Sequence, residues 1–118
     1  MKPIQKWIED WNCGIEPSLE KETAEELIRL FQEFWEWANL ESKSKTTKQR
    51  YSAALHTLGG YLIEETEKGV RENRGIWDFV KTYVDAEDGP LIYHDNEAWQ
   101  EELDTVCRKL HKFLIATR

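Results

Sequence analysis

The sequence predicts an all-α protein, a compact bundle of four main helices with a short additional helix at the N-terminal end. Apolar residues recur at helical spacing in each long segment, and only three Pro and six Gly interrupt the 118 residues. We find no segment with the alternation of apolar and polar residues that is typical of strands. The length is that of one domain, so we expect residues 1–118 to form a single helical domain.

The N-terminal helix is predicted from about residue 3 to residue 12. Pro suits the first helical position, where its missing N–H is not needed. An apolar stripe at positions i, i+3, i+4 and i+7 follows it, and Gly14 is a typical helix stop. We expect the two tryptophans of this stripe to lie in the core. The stripe consists of Ile4, Trp7, Ile8 and Trp11.

The second helix is predicted from Ala24 to about residue 40, because Thr23 and Glu26 match a capping box. Its apolar residues occupy half of the helical wheel, which is wider than one neighbour requires. We therefore expect this helix to be central and to contact at least two others. Trp35 and Trp37 lie at opposite edges of that face, and each is expected to be only partly covered.

The third helix is predicted from Thr46 or Thr47 to about residue 67, with an apolar stripe that includes Tyr51. Gly59 and Gly60 interrupt it. Each costs about 0.5–1 kcal/mol relative to Ala inside a helix. Gly59 lies at the edge of the stripe and would allow close packing, whereas Gly60 points away and would allow a kink.

The second half of the chain contains a short fourth helix and a longer fifth helix. The fourth begins at Ile76 and carries apolar residues as far as Tyr83, and an acidic turn at residues 85–90 ends it. The apolar patch at residues 91–93 is expected to fold back onto the core. Asp95 is predicted to cap the last helix, whose apolar stripe is expected to be core. That stripe consists of Trp99, Leu103, Val106, Cys107, Leu110, Phe113 and Leu114.

The overall charge limits the classes of function. A formal net charge of −7 argues against non-specific binding to nucleic acids and to anionic membrane surfaces. The two cysteines, Cys13 and Cys107, are too few for a secreted disulfide framework. Neither a signal-peptide pattern nor an apolar run of 18 residues is present. We therefore expect a soluble cytoplasmic protein that binds a protein partner or a small ligand.

No pattern typical of a catalytic site, a cofactor or a metal is found. His56, His94 and His111 have no His or Cys partner at ligand spacing. The acidic turn at residues 85–89 lacks the spacing of a calcium loop. The Gly59–Gly60 pair lacks the Gly-Lys-Ser/Thr of a phosphate-binding loop. We predict a protein that is not an enzyme and that has no cofactor or metal.

Two groups of residues are candidates for binding. The first is a basic island at the start of the third helix, where cations, hydroxyls and free N–H groups together suit a phosphate. The alternative is an ordinary capped, lysine-rich loop. The second is Trp35 with Trp37, because aromatic residues at a rim are typical interface anchors, although core packing is the alternative. The island consists of Lys43, Lys45, Thr47, Lys48 and Arg50.

Residues 27–65 carry a pattern of aromatic, hydroxyl and aliphatic residues across the second and third helices. The residues of this pattern are Phe31, Phe34 and Trp37, then Ser44, Thr47, Tyr51, Leu55, Leu58, Tyr61 and Leu62. The pattern resembles the first two helices of the core-binding (SAM-like) domain of tyrosine recombinases of the phage-integrase type. The resemblance implies a helical module that helps to clamp DNA, with the Ser/Thr-rich start of its second helix near the phosphates. The recombinase catalytic domain has no counterpart here, so recombinase activity is not implied.

Three hypotheses about function follow. The chain is a module for protein–protein interaction with an aromatic-rimmed helical surface, a DNA-binding accessory domain, or a homodimer whose interface covers Trp35 or Trp37. The basic island is net positive, and so is the end of the chain, with Arg108, Lys109 and Lys112. The DNA hypothesis is favoured if these two islands share one face of the fold, and it is disfavoured if acidic faces surround them.

Overall fold

A computed structural model describes residues 3–11, 17–67 and 75–117. These ranges contain five α-helices, a short 3₁₀ turn and no strand, so the predicted all-α fold is confirmed. Gly14, the predicted helix stop, lies outside the described residues. The helices are α1 (Trp7–Asp10), α2 (Pro17–Trp37), α3 (Lys45–Glu67), α4 (Ile76–Lys81) and α5 (Glu97–Thr117), with the 3₁₀ turn at Leu40–Ser42.

Helix α2 lies at the centre of the molecule and contacts α1, α3, α4 and α5. Its wide apolar face accounts for this position, as predicted. The predicted start, however, is wrong by seven residues. The helix begins at Pro17, and Thr23 lies fully buried within it instead of capping it. Proline favours the first helical turn, and the Leu, Glu and Lys residues that follow are good helix formers.

A left-handed residue lies between α2 and the 3₁₀ turn. Asn39 has a φ of 54°, a conformation that Asn adopts more readily than most residues. The 3₁₀ turn then leads to Ser44, whose Oγ accepts a hydrogen bond from the Thr47 N–H at 3.2 Å. Ser44 thus caps α3, which starts one residue before the predicted position.

Helix α3 runs through Gly59 and Gly60 as one continuous helix. The two glycines allow close packing of the Trp11 ring against the helix. A methyl group at Gly59 would overlap the indole ring of Trp11, and one at Gly60 would lie 3.4 Å from the same ring. The Trp11 Nε1–H also donates a hydrogen bond to the carbonyl oxygen of His56 at 2.9 Å. Trp7 and Trp11 are buried, as predicted.

The elements before α5 differ from the prediction in two details. Helix α4 ends at Lys81, so Tyr83 follows it. The cap of α5 is Asn96, whose Oδ1 accepts a hydrogen bond from the Trp99 N–H at 3.1 Å, and the prediction of Asp95 as the cap is wrong. Ile92 and Tyr93 pack against the core as expected, whereas Leu91 is exposed.

Helices α3 and α5 pack side by side and run in opposite directions. Arg50 pairs with Glu102, and Thr57, further along α3, hydrogen-bonds to Tyr93. The later residue of α3 thus contacts the earlier residue of the opposite segment, as in an antiparallel pair. The start of α3 and the end of α5 therefore lie at the same end of the bundle. No helix among the described residues is long and apolar enough to cross a bilayer.

Candidate functional site: a tryptophan groove and a basic end

An exposed tryptophan marks the first candidate surface. Trp99 is 58% exposed, so the prediction that it belongs to the core is wrong. Its ring meets that of Tyr93 edge to face, with the centroids 5.6 Å apart. Beside this pair is a depression of about 260 Å³ between α3 and α5. Its walls include Ala53 and Ala54 of α3 and Leu103 of α5.

Two further depressions adjoin the first along the outer face of α3. One shares Ala53 with it, and the next shares His56 and Thr57 with the second. Trp7 and Trp11 of the N-terminal segment border these two. We name the combined surface the tryptophan groove. It has α3 as its floor, Tyr93 and Trp99 along one side, and Trp7 and Trp11 along the other.

Hydrogen bonds hold the Tyr93 side of the groove in place. The Tyr93 and Thr57 hydroxyl oxygens lie 2.9 Å apart. Oε1 of Gln100 accepts hydrogen bonds from the N–H groups of Ile92 and Tyr93, each at 3.0 Å. Its Nε2 donates to the Pro90 carbonyl at 3.0 Å. Gln100 thus fastens residues 90, 92 and 93 of the loop before α5 to that helix.

The opposite side of the groove is fastened through His56. The rings of Trp7 and His56 meet edge to face at 5.1 Å between centroids. Nε2 of His56 lies 3.0 Å from Oδ2 of Asp10. His56 is partly covered and connects α1 to α3.

The second candidate surface combines the two predicted basic islands. Because α3 and α5 are antiparallel, Lys43, Lys45 and Lys48 lie at the same end of the bundle as the last turns of α5. Tyr51 of α3 lines a depression of about 300 Å³ together with cationic residues of α5. We name this surface the basic end. Its cations are Lys43, Lys45, Lys48, Arg108, Lys109 and Lys112.

Several of these cations already have partners. Nζ of Lys48 lies 4.0 Å from Oε2 of Glu41. The guanidinium of Arg108 donates to the Glu87 carbonyl at 2.8 Å and to the Thr105 hydroxyl at 3.0 Å. Lys43, Lys45 and Lys112 are exposed. The acidic loop at residues 85–88 borders the depression through Ala86, so the basic end has a carboxylate-rich neighbour.

Arg50 does not belong to the basic end. Its Nε lies 3.6 Å from Oε1 of Glu102, and both residues line the Trp99 depression. Thr47 also has a structural contact, since its hydroxyl accepts a hydrogen bond from Ser44 at 3.1 Å. The predicted island of five residues is therefore divided between two surfaces and a helix cap.

Of the two predicted rim tryptophans, one is exposed. Trp35 is fully buried, and its Nε1–H donates to Oε1 of Glu41 at 2.8 Å, so the expected partial exposure is wrong. Trp37 is 41% exposed and lies against Phe34 and Phe113. Nζ of Lys109 lies 5.5 Å from the centroid of its ring, within the range of a cation–π contact.

The remaining reactive side chains of the described residues include a thiol and a carboxylate with shifted pKa values. No group of three or more His, Cys, Asp or Glu side chains that could hold a metal ion occurs among the described residues. Burial raises the pKa of the Cys107 thiol to about 12, and nearby Asp104 and Asp88 act in the same direction. Two backbone N–H groups, of Asp88 and Glu87, hold the pKa of Asp85 below its ordinary value.

Sequence reasoning missed Trp99 because its helical position is indistinguishable from that of a core residue. It lies one turn before Leu103, which is buried. The residues that face this part of α5 from α3 include Ala53 and Ala54, which are too short to cover an indole. The exposure of Trp99 could have been predicted only from knowledge of which helices are neighbours. Comparisons of the chain with protein-family models, with curated proteins and with solved structures found no significant match.

Proposed function

We propose that this protein is a non-enzymatic interaction module that binds a helical segment of a partner protein in the tryptophan groove. The observation that carries the proposal is the exposure of Trp99 beside a depression with an apolar floor. Tryptophan is among the residues that most often supply the binding energy of an interface. A large indole left exposed next to such a depression is a ready anchor.

The groove is also held in shape before any partner arrives. Thr57 and Gln100 fix Tyr93, and Tyr93 in turn supports the ring of Trp99. Preorganisation of this kind lowers the entropic cost of association, because fewer side chains must be ordered on binding.

The length of the groove suits a helix as the bound segment. The lining residues of α3 extend from Gln49 to Glu64. At the helical rise this distance is about 22 Å, or roughly four turns. The floor carries short side chains at Ala53 and Thr57, so a partner helix can approach closely there.

A cytoplasmic location is part of this proposal. Cys107 is a free thiol in the core, and free thiols persist in reducing compartments. The buried thiol is compatible with a protein that works where disulfides are rare.

The proposal is tested by selecting helical peptides of about 16 residues from a displayed library and measuring their affinity by calorimetry. Trp99→Ala is expected to weaken binding at least tenfold, as removal of a hot-spot residue does. Ile115→Ala serves as the control, because Ile115 is another exposed large apolar residue on α5, near the opposite end of the helix. A selection that yields no binder would contradict the proposal. So would peptides that bind the Trp99→Ala variant as tightly as they bind the wild type.

A DNA-binding accessory role is the second candidate, and one observation favours it. The antiparallel packing of α3 and α5 brings the two basic islands to one end of the bundle, around Tyr51. The resemblance of residues 27–65 to a recombinase core-binding domain implies the same kind of contact. The acidic loop beside the depression and the net charge of −7 oppose it.

The DNA hypothesis is tested by fluorescence anisotropy of a labelled duplex at two salt concentrations. If it holds, binding weakens steeply with salt, and Lys109→Ala combined with Lys112→Ala weakens it further. Lys21→Ala is the control, since Lys21 lies 16 residues before Trp37 on α2, about 24 Å from the basic end. No binding at tens of micromolar protein in low salt would rule this function out.

A further inference from the structure

We infer that the segment bound by the tryptophan groove is basic, with cationic residues near both of its ends and an apolar face between them. This inference rests on the proposed function of the groove and adds the chemistry of the partner. It follows from where the charges of the groove lie.

Carboxylates occur at both ends of the groove. Glu102 lines the depression beside Trp99, and Asp10 and Glu64 line the depression at the other end. The cationic side chains that line the same depressions are Arg50 and, when protonated, His56. Acidic groups thus outnumber basic ones along the groove.

Arg50 and His56 are each close to a carboxylate already. Arg50 lies 3.6 Å from Glu102, and His56 lies 3.0 Å from Asp10. All four side chains are substantially exposed, so these are surface pairs that hold little free energy and can exchange partners. Glu64 is exposed and lines the same depression as Asp10 and Gly60.

The positions of the carboxylates specify a spacing for the partner. Glu102 is opposite Arg50, and Glu64 lies 14 residues further along α3. The corresponding distance of about 21 Å equals four turns of a partner helix. A Lys or Arg at each end of a four-turn helix would meet a carboxylate while the residues between them pack against Trp99 and Tyr93.

The rest of the molecule favours the same class of partner. The net charge of −7 attracts a cationic segment at long range and repels an acidic one. Complementary charge acts chiefly on the association rate and on the choice of partner, whereas the aromatic anchor supplies the affinity.

The test uses three synthetic helical peptides of about 18 residues with one shared apolar stripe. One carries Lys at both ends, one Gln and one Glu. Calorimetry is expected to show that the Lys peptide binds roughly tenfold more tightly than the Gln peptide and that the Glu peptide binds most weakly. The preference for the Lys peptide is expected to decrease as the salt concentration rises. Glu64→Lys is expected to reduce the preference for the Lys peptide severalfold.

The control is Glu33→Lys, which changes the net charge equally but lies on the exposed face of α2. If Glu33→Lys reduces the preference as much as Glu64→Lys does, the attraction is a property of the whole molecule and the inference about the groove is overturned. If all three peptides bind equally and Trp99→Ala abolishes binding, the partner chemistry is wrong and the interaction module stands. If none binds and the library selection also fails, both are wrong.

Discussion

Gly59 leaves room for the indole ring of Trp11, which lies against α3 and fastens the N-terminal segment to the bundle. The sequence showed only that Gly59 lies at the edge of an apolar stripe. It did not show that a tryptophan far away in the chain fills the space, because helical periodicity describes one helix and not its neighbours. For the same reason, no residue that packs against Gly60 could be identified from the sequence.

Gly59→Ala is expected to destabilise the protein by about 1–3 kcal/mol, because the added methyl group overlaps the Trp11 ring and forces it to move. Gly60→Ala is the matched control. Its methyl group would make ordinary contact with Trp11 at 3.4 Å, so the gain of up to about 1 kcal/mol in helix propensity should remain. Urea unfolding followed by circular dichroism measures both. Equal stability of the two variants would contradict the assigned role of Gly59.

Cys107 makes the stability of the protein sensitive to high pH. Burial raises the pKa of its thiol from an ordinary 9.0 to about 12 in the folded state. A group whose pKa is raised by folding contributes stability below its unfolded pKa. That contribution is lost as pH rises from 9 to about 12, because only the unfolded thiol releases its proton there.

The free energy of unfolding is therefore expected to fall above pH 9, by up to about 1.4 kcal/mol per pH unit from this thiol. Burial raises the pKa of Tyr51 as well and adds to the same trend. The measurement is the difference in free energy of unfolding between the wild type and Cys107→Ala, from pH 8 to pH 11, which cancels the contributions of other groups. A difference that does not change with pH would show that the thiol titrates normally.

At the scale of elements, apolar periodicity predicted the long helices well and their ends poorly. The wide face of α2 correctly indicated a central helix, since this depends only on its own residues. The predicted caps at Thr23 and Asp95 were wrong because the sequence offers competing signals. Pro17 opens α2 earlier, and Asn96 beside Asp95 is an equally good capping residue.

Gln100 had no sequence signal as a structural residue, and the loop before α5 depends on it. Gln100→Ala leaves the N–H groups of Ile92 and Tyr93 without their acceptor and should cost about 1–3 kcal/mol. It should also weaken peptide binding in the tryptophan groove, because Tyr93 loses its support. Urea unfolding and the peptide titration measure the two effects.

Glu101→Ala is the control for this prediction, since Glu101 is the next residue on α5 and is exposed. It should leave both the free energy of unfolding and peptide affinity close to the wild-type values. A Gln100→Ala protein with unchanged stability would mean that water replaces the side chain without cost, and that the loop is held by packing alone.

At the scale of the whole molecule, the candidate surfaces depend on which helices are neighbours. The basic islands, the aromatic residues and the absence of a catalytic pattern could all be deduced from the sequence. The division of Arg50 from the lysines, and the exposure of Trp99, follow from the antiparallel packing of α3 and α5. The hypothesis of a homodimer that covers Trp35 fails because the fold itself buries that side chain, whereas Trp37 remains exposed.

The net charge of −7 predicts that salt stabilises this protein. The exposed ion pairs, such as Arg50 with Glu102, contribute little to the free energy of unfolding at either low or high salt. Repulsion among the excess carboxylates acts over longer distances, and salt weakens it. The melting temperature should rise by roughly 2–4 °C between 20 and 300 mM NaCl, equivalent to about half a kcal/mol.

Glu33→Lys provides the comparison, since it lowers the excess negative charge by two and breaks none of the described ion pairs. Its melting temperature should rise less with salt than that of the wild type. Differential scanning calorimetry in NaCl measures both, and repetition in KCl excludes an effect specific to sodium. If the wild-type melting temperature falls as salt rises, then short-range ion pairs outweigh the repulsion.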